Sequence, residues 1–526
     1  MKITSIFNDV LGPVMRGPSS SHTAASYHIG RTARALLGRT PRAARLRFDR
    51  DGSYFQVYEE QGADLAFAAG LMEWPIVDER FDSALESAAA AGLSIEFAGG
   101  SLENADHPNS VEIKLESGDG QSLDALAKST GGGGFLFTRI EKWPIEIDGN
   151  HHEVIVELDG AEEETVRQIL DRAGAPDLPE ARVFRDGRLL LHRKFLSAPD
   201  HKTLDRLSAH ESVRLVRTAP PLFFTKRGAP LFASAAEMVS LAEERGCSLG
   251  RLALAYEAAL LDRPEAEIMA ETERRFSLMC AAIDDGLDDR KVRMQLLAPS
   301  AGRIMAADRA GLLAVGGMHS RAAARSLAAL HCNCSGRVVC AAPTGGSAGV
   351  LPGVMATLVA EGALSKKEAA LGLLAAGAIG VVVNERATFA AEIAGCQVEI
   401  GAAGAMAAAA VVDGAKGSAA QAADAAAIAF QNTMGSVCDL VQGIVEIPCH
   451  TRNALAASSA FVCADLILGG YTNAIPLDET IDTVLAVGKM MPPELRVTAR
   501  GGLALAPSAR SLERRSKHPP RTKEER

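Results

Sequence analysis

The sequence predicts a multidomain protein in which two α+β domains precede an all-α domain. At 526 residues the chain is too long for a single hydrophobic core. Alternating apolar residues and a hairpin signal fill the segment from about residue 152 to 220. After Pro220 and Pro221, apolar residues recur at the three-to-four spacing of helices. The predicted domains are residues 1–150, 151–220 and 221–509, followed by a disordered basic tail at residues 510–526.

Composition and charge restrict the class of protein. Hydrophobic residues make up 47% and charged residues 23% of the chain, as in ordinary globular proteins. A net charge of −10 argues against a general nucleic-acid binder. The first residues lack the apolar segment of a signal peptide, and the alanine-rich runs are interrupted by charged residues and glycine. We therefore expect a cytoplasmic protein with no nucleic-acid or membrane partner.

A serine-rich segment near the start of the chain precedes a predicted helix. Residues 17–23 read GPSSSHT, and a helical pattern continues to about Leu37. Ser21 or Thr23 can cap this helix, whose free N–H groups would then suit a carboxylate or a phosphate. The same residues also fit a plain helix cap beside a surface histidine, so the pattern alone leaves both interpretations open.

The middle segment reads as a small α+β unit. Residues 153–158 alternate like a strand, and residues 162–173 form an amphipathic helical pattern. Asp186 and Gly187 give a strong hairpin signal between two further strands. A helix near residues 202–208 and a strand at residues 212–216 complete the order βαββαβ. This order is the ferredoxin-like arrangement.

A Gly/Ser/Thr loop lies inside the predicted all-α domain. Residues 342–353 read APTGGSAGVLPG, and the loop precedes a helical pattern. Backbone N–H groups and hydroxyls in such a loop suit a carboxylate. The loop lacks the Gly-Lys-Ser/Thr ending of a P-loop, which argues against nucleotide binding. A plain turn is the alternative interpretation.

Three cysteines near the C-terminal end lie in segments rich in glycine and proline. Cys396 is followed by Cys438 after 42 residues and by Cys449 after 11 more. This spacing matches no ferredoxin or zinc-finger pattern, so spacing alone leaves metal ligands and buried apolar residues both open. A second group, Cys332, Cys334 and Cys340, has no CxxC knuckle, which argues against metal binding there.

Several long motifs, in a preserved order, resemble the iron–sulfur L-serine dehydratases, also called L-serine ammonia-lyases. The chain reads GPSSSHT, APTGGSAGVLPG, GCQVEIG and VCDLVQGIVEIPCHTRNA. The family opens with the same GPSSSHT and continues with APTAGSCGILPG, GCQAEVG and VCDPVAGLVEVPC-x-x-RNA. The resemblance covers residues 1 to about 140 and about 265 to 507, so the chain looks like fused β and α chains. Departures include Leu440 for proline, Gln442 for alanine and Val497 for glutamate.

The resemblance implies a set of site residues. It implies that the three cysteines Cys396, Cys438 and Cys449 hold a [4Fe–4S] cluster. It also implies two substrate-binding segments, Ser19, Ser20, Ser21, His22 and Thr23 in the first, and Thr344, Gly345, Gly346 and Ser347 in the second. His22 is the candidate catalytic base by residue type, and an orienting role for it stays open.

The resemblance further implies the α+β class of the first domain and a homodimer. The middle domain resembles the amino-acid-binding ACT domain of some serine dehydratases. It lacks the usual Pro-Gly of the ACT ligand loop after Asp159. Effector binding and a purely structural or dimerising role therefore both remain possible interpretations of this domain.

The reaction implied by the resemblance is β-elimination of L-serine to pyruvate and ammonia, with an open iron of the cluster as Lewis acid on the hydroxyl. A related lyase for L-threonine or L-cysteine is one alternative. A pyridoxal-phosphate dehydratase needs a Schiff-base lysine, and no lysine lies in the matched motifs of the predicted all-α domain. An amino-acid sensor without a cluster is the non-enzyme alternative.

Overall fold

The structure is a computed structural model that describes residues 3–50, 52–103 and 105–515. It divides into two compact units, one formed by Ser21–Arg227 and the other by Met1–Ser20 together with Gly228–Arg526. The first residues of the chain therefore belong to the same unit as its C-terminal half. Most of the basic tail, residues 516–526, lies outside the described residues.

Strands concentrate in the first half of the chain and helices in the second. The described strands are, in chain order, β1 (Val14–Arg16), β2 (Pro41–Asp49), β3 (Ser94–Gly100), β4 (Ser110–Ser117), β5 (Ser122–Gly131), β6 (Gly134–Ile140), β7 (Trp143–Ile147), β8 (His152–Asp159), β9 (Ala181–Arg185), β10 (Arg188–Phe195), β11 (Val213–Ala219) and β12 (Val338–Cys340). The described α-helices are α1 (Ala25–Leu37), α2 (Ser53–Val57), α3 (Ala63–Leu71), α4 (Ala84–Ala90), α5 (Glu163–Asp171), α6 (His201–Ser208), α7 (Ala235–Arg245), α8 (Leu249–Leu261), α9 (Glu265–Leu287), α10 (Ala301–Arg309), α11 (Met318–Cys334), α12 (Val350–Ala360), α13 (Lys366–Arg386), α14 (Ala391–Ala394), α15 (Ile400–Gly414), α16 (Ala419–Thr433), α17 (Cys449–Leu468), α18 (Leu477–Met490) and α19 (Pro507–Arg510).

A six-stranded sheet forms the larger part of the Ser21–Arg227 unit. Its strand order is β3-β2-β4-β5-β6-β7, with β2 and β3 parallel and the other neighbours antiparallel. Aromatic side chains such as Phe48, Phe137 and Trp143 are buried in its core together with residues of α1 and α3. The turn from β5 to β6 runs through glycines whose φ angles reach +92°, a conformation that glycine adopts without a Cβ penalty.

A four-stranded antiparallel sheet forms the rest of this unit. Its strand order is β11-β8-β10-β9, and α5 and α6 connect β8 to β9 and β10 to β11. The amphipathic pattern of α5 has its expected effect, because Val166 and Leu170 are buried against the sheet. Asp186 and Gly187 have φ angles of +54° and +76° at the tight turn between β9 and β10.

The second unit is helical apart from one short strand pair in its described residues. Strand β1 pairs antiparallel with β12, which joins the start of the chain to the helices. Small residues allow close helix contacts: a Cβ on Gly286 of α9 would lie 1.7 Å from the Ala328 carbonyl oxygen of α11. The prediction of α+β domains followed by a helical domain is confirmed in its coarse form, as an N-terminal region of helices and sheets followed by a helical region.

Two segments of the helical unit have the length and hydropathy of membrane-spanning helices. They are Lys366–Arg386 and Cys396–Gly414. Of their most apolar windows, 83% and 94% of the residues are buried inside the structure, as in core helices of globular proteins. Their apolar character is therefore accounted for by packing against other helices of the same unit.

Candidate functional site

The three cysteines singled out by the sequence are buried in the helical unit. Their exposed fractions are 1% for Cys396, 3% for Cys438 and 4% for Cys449. Cys396 begins the 3₁₀ turn that leads into α15, and Cys449 is the first residue of α17. The partial positive charge at a helix start favours a thiolate there, although burial and neighbouring negative charges outweigh this effect on Cys449.

Cys396, Cys438 and Glu399 bring their ligand atoms together. The two Sγ atoms and one carboxylate oxygen of Glu399 all lie within 4.8 Å of one another. Cys449 is outside that triplet. Burial and the negative charges of Cys396 and Glu399 raise the pKa of its thiol. These residues, Cys396, Cys438, Cys449 and Glu399, are called the cysteine site below.

The thiols of the cysteine site differ in how readily they ionise. A hydrogen bond with Cys438 and the positive charge of Arg452 lower the pKa of the Cys396 thiol although burial opposes the shift. The same hydrogen bond and burial raise the pKa of the Cys438 thiol. Burial and the charge of Cys396 also raise the pKa of Glu399. Negative charge is therefore concentrated on Cys396, beside a guanidinium that compensates it.

The amide of Gln397 holds the loop of Cys396 in place. Its Nε2 donates to the carbonyl oxygens of Ala394 at 2.8 Å and of Val484 at 3.0 Å. Its Oε1 accepts from the Gly435 N–H at 2.9 Å. Gln397 itself is fully buried. One side chain therefore joins the Cys396 loop to α18 and to the segment that leads into Cys438.

Backbone pairing with the C-terminal segment holds Cys438. The Cys438 N–H donates to the Leu495 carbonyl at 2.8 Å, and the Val497 N–H donates to the Cys438 carbonyl at 2.9 Å. Val497, one of the departures from the family motif, has a φ of +59° at this point. The motif near residue 500 thus fixes the backbone of Cys438 by hydrogen bonds.

Asp439 extends the same support. It is 4% exposed, accepts from the Leu503 N–H at 2.7 Å, and accepts from Arg452 at 3.0 Å. Arg452 also donates to the Val437 carbonyl at 2.7 Å. A Cβ on Gly502 would lie 2.4 Å from the Asp439 carboxylate, so only glycine fits there. The cation beside Cys396 is therefore fixed by a buried carboxylate and by the backbone.

Asn453 connects Cys449 to the Gly/Ser/Thr loop. Its Nδ2 donates to the carbonyls of Gly346 and Cys449, both at 2.9 Å, and its Oδ1 accepts from the Gly349 N–H at 3.3 Å. Because α17 starts at Cys449, the asparagine lies one turn along the same helix. The loop and the third cysteine are consequently fixed relative to each other.

The loop itself is closed by its own hydroxyls. Thr344 Oγ1 lies 3.1 Å from Ser347 Oγ, and Ser347 Oγ accepts from the Thr344 N–H at 3.2 Å. The hydroxyl of Thr344 also donates to Glu399, which opposes the rise in the pKa of that carboxyl. The predicted residues Thr344 and Ser347 thus lie next to the cysteine site.

Part of the serine-rich segment meets this loop within the helical unit. The Gly345 N–H donates to Ser20 Oγ at 3.3 Å. Asn333 Nδ2 donates to the Pro18 carbonyl at 2.9 Å and to the Gly345 carbonyl at 3.0 Å. The structure therefore brings together Ser20 and the loop, and Asn333, which the sequence reasoning passed over between two cysteines, holds both.

Ser21, His22 and Thr23 of the serine-rich segment belong to the other unit. His22 is 1% exposed, with Nδ1 3.1 Å from Ser21 Oγ and Nε2 3.2 Å from Ser53 Oγ. Burial lowers the pKa of His22 to about 4, which keeps its ring neutral at pH 7. Ser19, also predicted to bind substrate, lies in the helical unit.

The expectation that Ser21 or Thr23 caps the following helix is wrong. A helical turn, Ser20–Ala24, precedes α1, and the N-cap position falls on Ala24, which makes no side-chain cap. Thr23 instead donates its hydroxyl to the Gln61 carbonyl at 2.6 Å. The serine run did not reveal this turn, because its residues are equally typical of caps.

The thiols of Cys332, Cys334 and Cys340 contact residues outside the cysteine site. Cys332 and Cys334 end helix α11, and Cys340 ends β12. Their thiols face backbone carbonyls: Cys334 Sγ lies 2.8 Å from the Val445 oxygen. Burial raises the pKa of Cys332 to about 12 and that of Cys340 to about 11. Cys332 and Cys340 are therefore protonated, and all three residues are buried in the core.

The fold and the site together define a class. Thiols, a carboxylate and a loop of N–H and hydroxyl donors meet in one helical unit, which is the donor chemistry of a metal-dependent enzyme for a small polar substrate. The family model described as "Serine dehydratase alpha chain" matches residues 236–504.

Relatives of both the alpha-chain and the beta-chain kind match this chain. The "Probable L-serine dehydratase, alpha chain" of Bacillus subtilis is 35% identical over 285 residues, which are 54% of this chain and 95% of the relative. The "L-serine dehydratase, alpha chain" of Peptoniphilus asaccharolyticus is 33% identical over 53% of this chain and 97% of its own length. The "Probable L-serine dehydratase, beta chain" of Bacillus subtilis is 39% identical over 30% of this chain and 69% of its own length. This chain belongs to the serine dehydratase alpha-chain family, so the predicted family and the prediction of an enzyme are confirmed.

Proposed function

We propose that this chain is an iron–sulfur L-serine ammonia-lyase that converts L-serine to pyruvate and ammonia. Relatives named L-serine dehydratase, of the alpha-chain and the beta-chain kind, support the substrate. The observation that carries the proposal is the cysteine site. In it Cys396, Cys438 and Glu399 place their ligand atoms within 4.8 Å of one another, and the charges of Cys396 and Glu399 act on the buried thiol of Cys449. This observation involves residues of the helical unit alone.

The chemistry of the donors fits a [4Fe–4S] cluster held by Cys396, Cys438 and Cys449. Thiolates are the soft ligands that iron–sulfur clusters use, and Arg452 supplies positive charge beside Cys396. A cluster held by three cysteines supplies one iron that acts as a Lewis acid on a hydroxyl leaving group. The proposed ligands are the three cysteines, so Glu399 is available for a role other than binding the cluster.

Substrate orientation is the proposed task of the Gly/Ser/Thr loop. The N–H groups and hydroxyls of Thr344, Gly345, Gly346 and Ser347 would bind the carboxylate of the amino acid, together with Ser19 and Ser20 of the same unit. Ser21, His22 and Thr23 remain predicted substrate-binding residues of the other unit. Asn453 and Asn333 fix this loop by hydrogen bonds, and a fixed loop lowers the entropic part of the barrier.

Two side chains are proposed to move protons. β-Elimination removes the α-proton and expels the β-hydroxyl, and the resulting aminoacrylate tautomerises and hydrolyses to pyruvate and ammonia. His22 is neutral at pH 7 because burial lowers its pKa to about 4, so its imidazole is in the state that accepts a proton. Glu399, whose pKa is raised, is in the state that donates one to the departing oxygen.

The rest of the chain is proposed to complete a fused enzyme. We assign residues 1–150 as the β-type domain, residues 151–220 as a ferredoxin-like, ACT-like domain, and residues 221–509 as the catalytic domain. The sheet order β11-β8-β10-β9 with two crossing helices supports the ferredoxin-like assignment. A cytoplasmic homodimer that binds neither nucleic acid nor membrane completes the proposal.

Anaerobic purification with iron and sulfide analysis and a pyruvate assay tests the function. We expect about four irons per chain and pyruvate from L-serine in excess of product from L-threonine or L-cysteine. Cys438→Ala should lose iron and activity. Cys280→Ala, which removes a thiol outside the cysteine site, should retain both. Iron-free protein that still forms pyruvate would refute the cluster and favour pyridoxal phosphate, and a cluster without serine activity would refute the substrate.

A further inference from the structure

A second group of metal-ligand side chains lies in the other unit, between its two sheets. Asp148 follows the end of β7, the last strand of the six-stranded sheet, and His151 and Glu153 stand at the start of β8 in the four-stranded sheet. One ligand atom from each of the three residues lies within 4.8 Å of the others. These residues, Asp148, His151 and Glu153, are called the His151 site.

His151 is oriented as metal-bound histidines are. Its Nε2 lies 2.8 Å from the Asp177 carboxylate, so the neutral ring keeps its hydrogen on Nε2 and directs a lone pair from Nδ1. Nδ1 is buried and has no hydrogen-bond partner among the described residues, and it lies 4.0 Å from Asp148 Oδ1. A carboxylate on the far nitrogen is the usual partner of a metal-bound imidazole.

Glu153 offers the second unsatisfied atom. It is 1% exposed, and its Oε2 lies 2.6 Å from His192 Nε2. Its other oxygen, Oε1, is buried without a hydrogen-bond partner in the described structure, and the nearest cation is Lys194 Nζ at 3.9 Å. A buried carboxylate oxygen left this way carries a desolvation penalty that a bound cation would remove.

We propose that Asp148, His151 and Glu153 bind a divalent transition-metal ion such as Zn²⁺. Two carboxylates and one imidazole are suitable ligands for this ion. Tetrahedral zinc with ligands at about 2.1 Å holds ligand atoms about 3.4 Å apart, so the side chains close by about an ångström on binding. Water completes the coordination. The ion would join the two sheets of the unit at the point where the chain passes from one to the other.

Lys194 is the competitor of the ion. It stands directly opposite Glu153 in the pairing of β10 with β8, with its ammonium 3.9 Å from Oε1. An ammonium there is repelled by a divalent cation, so removing it should strengthen metal binding. If these side chains served only as a set of ion pairs, removal of Lys194 would loosen the group and would not strengthen metal binding.

Zinc titration of the full-length, tag-free protein with its iron–sulfur cluster in place tests the proposal. We expect one zinc per chain in addition to any bound at the cysteines, measured by metal analysis and calorimetry. Asp148→Asn and His151→Asn should each weaken this binding at least tenfold, and Lys194→Met should tighten it. His201→Asn, at an exposed histidine of the same unit, is the matched control and should change nothing.

The outcomes separate the two sites of the protein. The proposal would be overturned if the unmodified protein bound no more zinc than the Asp148→Asn and His151→Asn variants. Weaker zinc binding by Lys194→Met would also overturn it. Asp148 is 39% exposed in its side chain, so Asp148→Asn tests the ion with little risk to folding. The pyruvate assay is not the readout, and failure of the proposed lyase function would leave this test unaffected.

Discussion

Replacing Gln397 by glutamate tests whether a hydrogen-bonded amide, rather than the cysteines alone, builds the cysteine site. The change keeps the size of the side chain and keeps Oε1 as an acceptor for the Gly435 N–H. It converts the donor Nε2, which serves the carbonyls of Ala394 and Val484 at 2.8 and 3.0 Å, into an acceptor. Gln397→Glu therefore sets an oxygen against two carbonyl oxygens in a fully buried position.

The magnitude follows from the number of bonds lost. Each buried group left without its partner costs about 1–3 kcal/mol, so the two carbonyls together give about 2–6 kcal/mol. A protonated glutamic acid would recover one of the two bonds and bring the value toward the lower end. Since every 1.4 kcal/mol is a factor of ten, the ordered loop around Cys396 should become at least about tenfold less populated.

Iron content and thermal stability measured on anaerobically purified protein check this prediction. We expect Gln397→Glu to lower the melting temperature, to retain less iron per chain and to lose pyruvate-forming activity in proportion to the iron. Gln431→Glu makes the same chemical change at an exposed position of the helical unit, where the amide donates to Asn473 Oδ1 at 3.2 Å. A Gln397→Glu protein that matches Gln431→Glu in melting temperature and iron would refute the role of the amide.

Two further predictions concern backbone fit and pH. Gly502→Ala should destabilise the protein by about 2–4 kcal/mol, since Gly502 has a φ of +58° and its Cβ would strike the Asp439 carboxylate. Gly311→Ala is the control: it has a φ of +66° and open space around the Cβ, so it measures the cost of the backbone conformation alone. Equal melting temperatures for the two variants would contradict the argument. His28, buried with its pKa lowered to about 4, stays neutral in the folded protein while the unfolded chain takes up a proton near pH 6.5. Stability should therefore fall by about 2 kcal/mol between pH 7.5 and 5 on its account. The melting temperature of His28→Gln should fall less over this range, and an unchanged slope would contradict the assignment.

Local pattern was sufficient for the elements whose side chains repeat regularly. The helix over α5 and the hairpin at Asp186 and Gly187 follow from apolar period and turn chemistry, and the structure has both. The turn before α1 did not follow, because serine and threonine satisfy backbone groups in caps and in turns alike. A tertiary contact, the hydroxyl of Thr23 on the Gln61 carbonyl, accompanies the observed conformation.

The same limit explains which residues of the candidate site escaped the sequence. Cysteines stand out by type, whereas Asn333, Asn453 and Glu399 are ordinary polar residues whose partners lie far along the chain: Asn453 bonds Gly346 across 107 positions. Glu399 and Asn453 do fall inside the matched strings GCQVEIG and CHTRNA, so asking why a buried motif needs a polar side chain would have found them. Asn333 had no such signal, because its neighbours Cys332 and Cys334 drew attention to thiols that face backbone carbonyls. What a motif leaves undetermined is therefore the set of side chains that bond to loop backbone, and those are the residues on which the precision of the site depends.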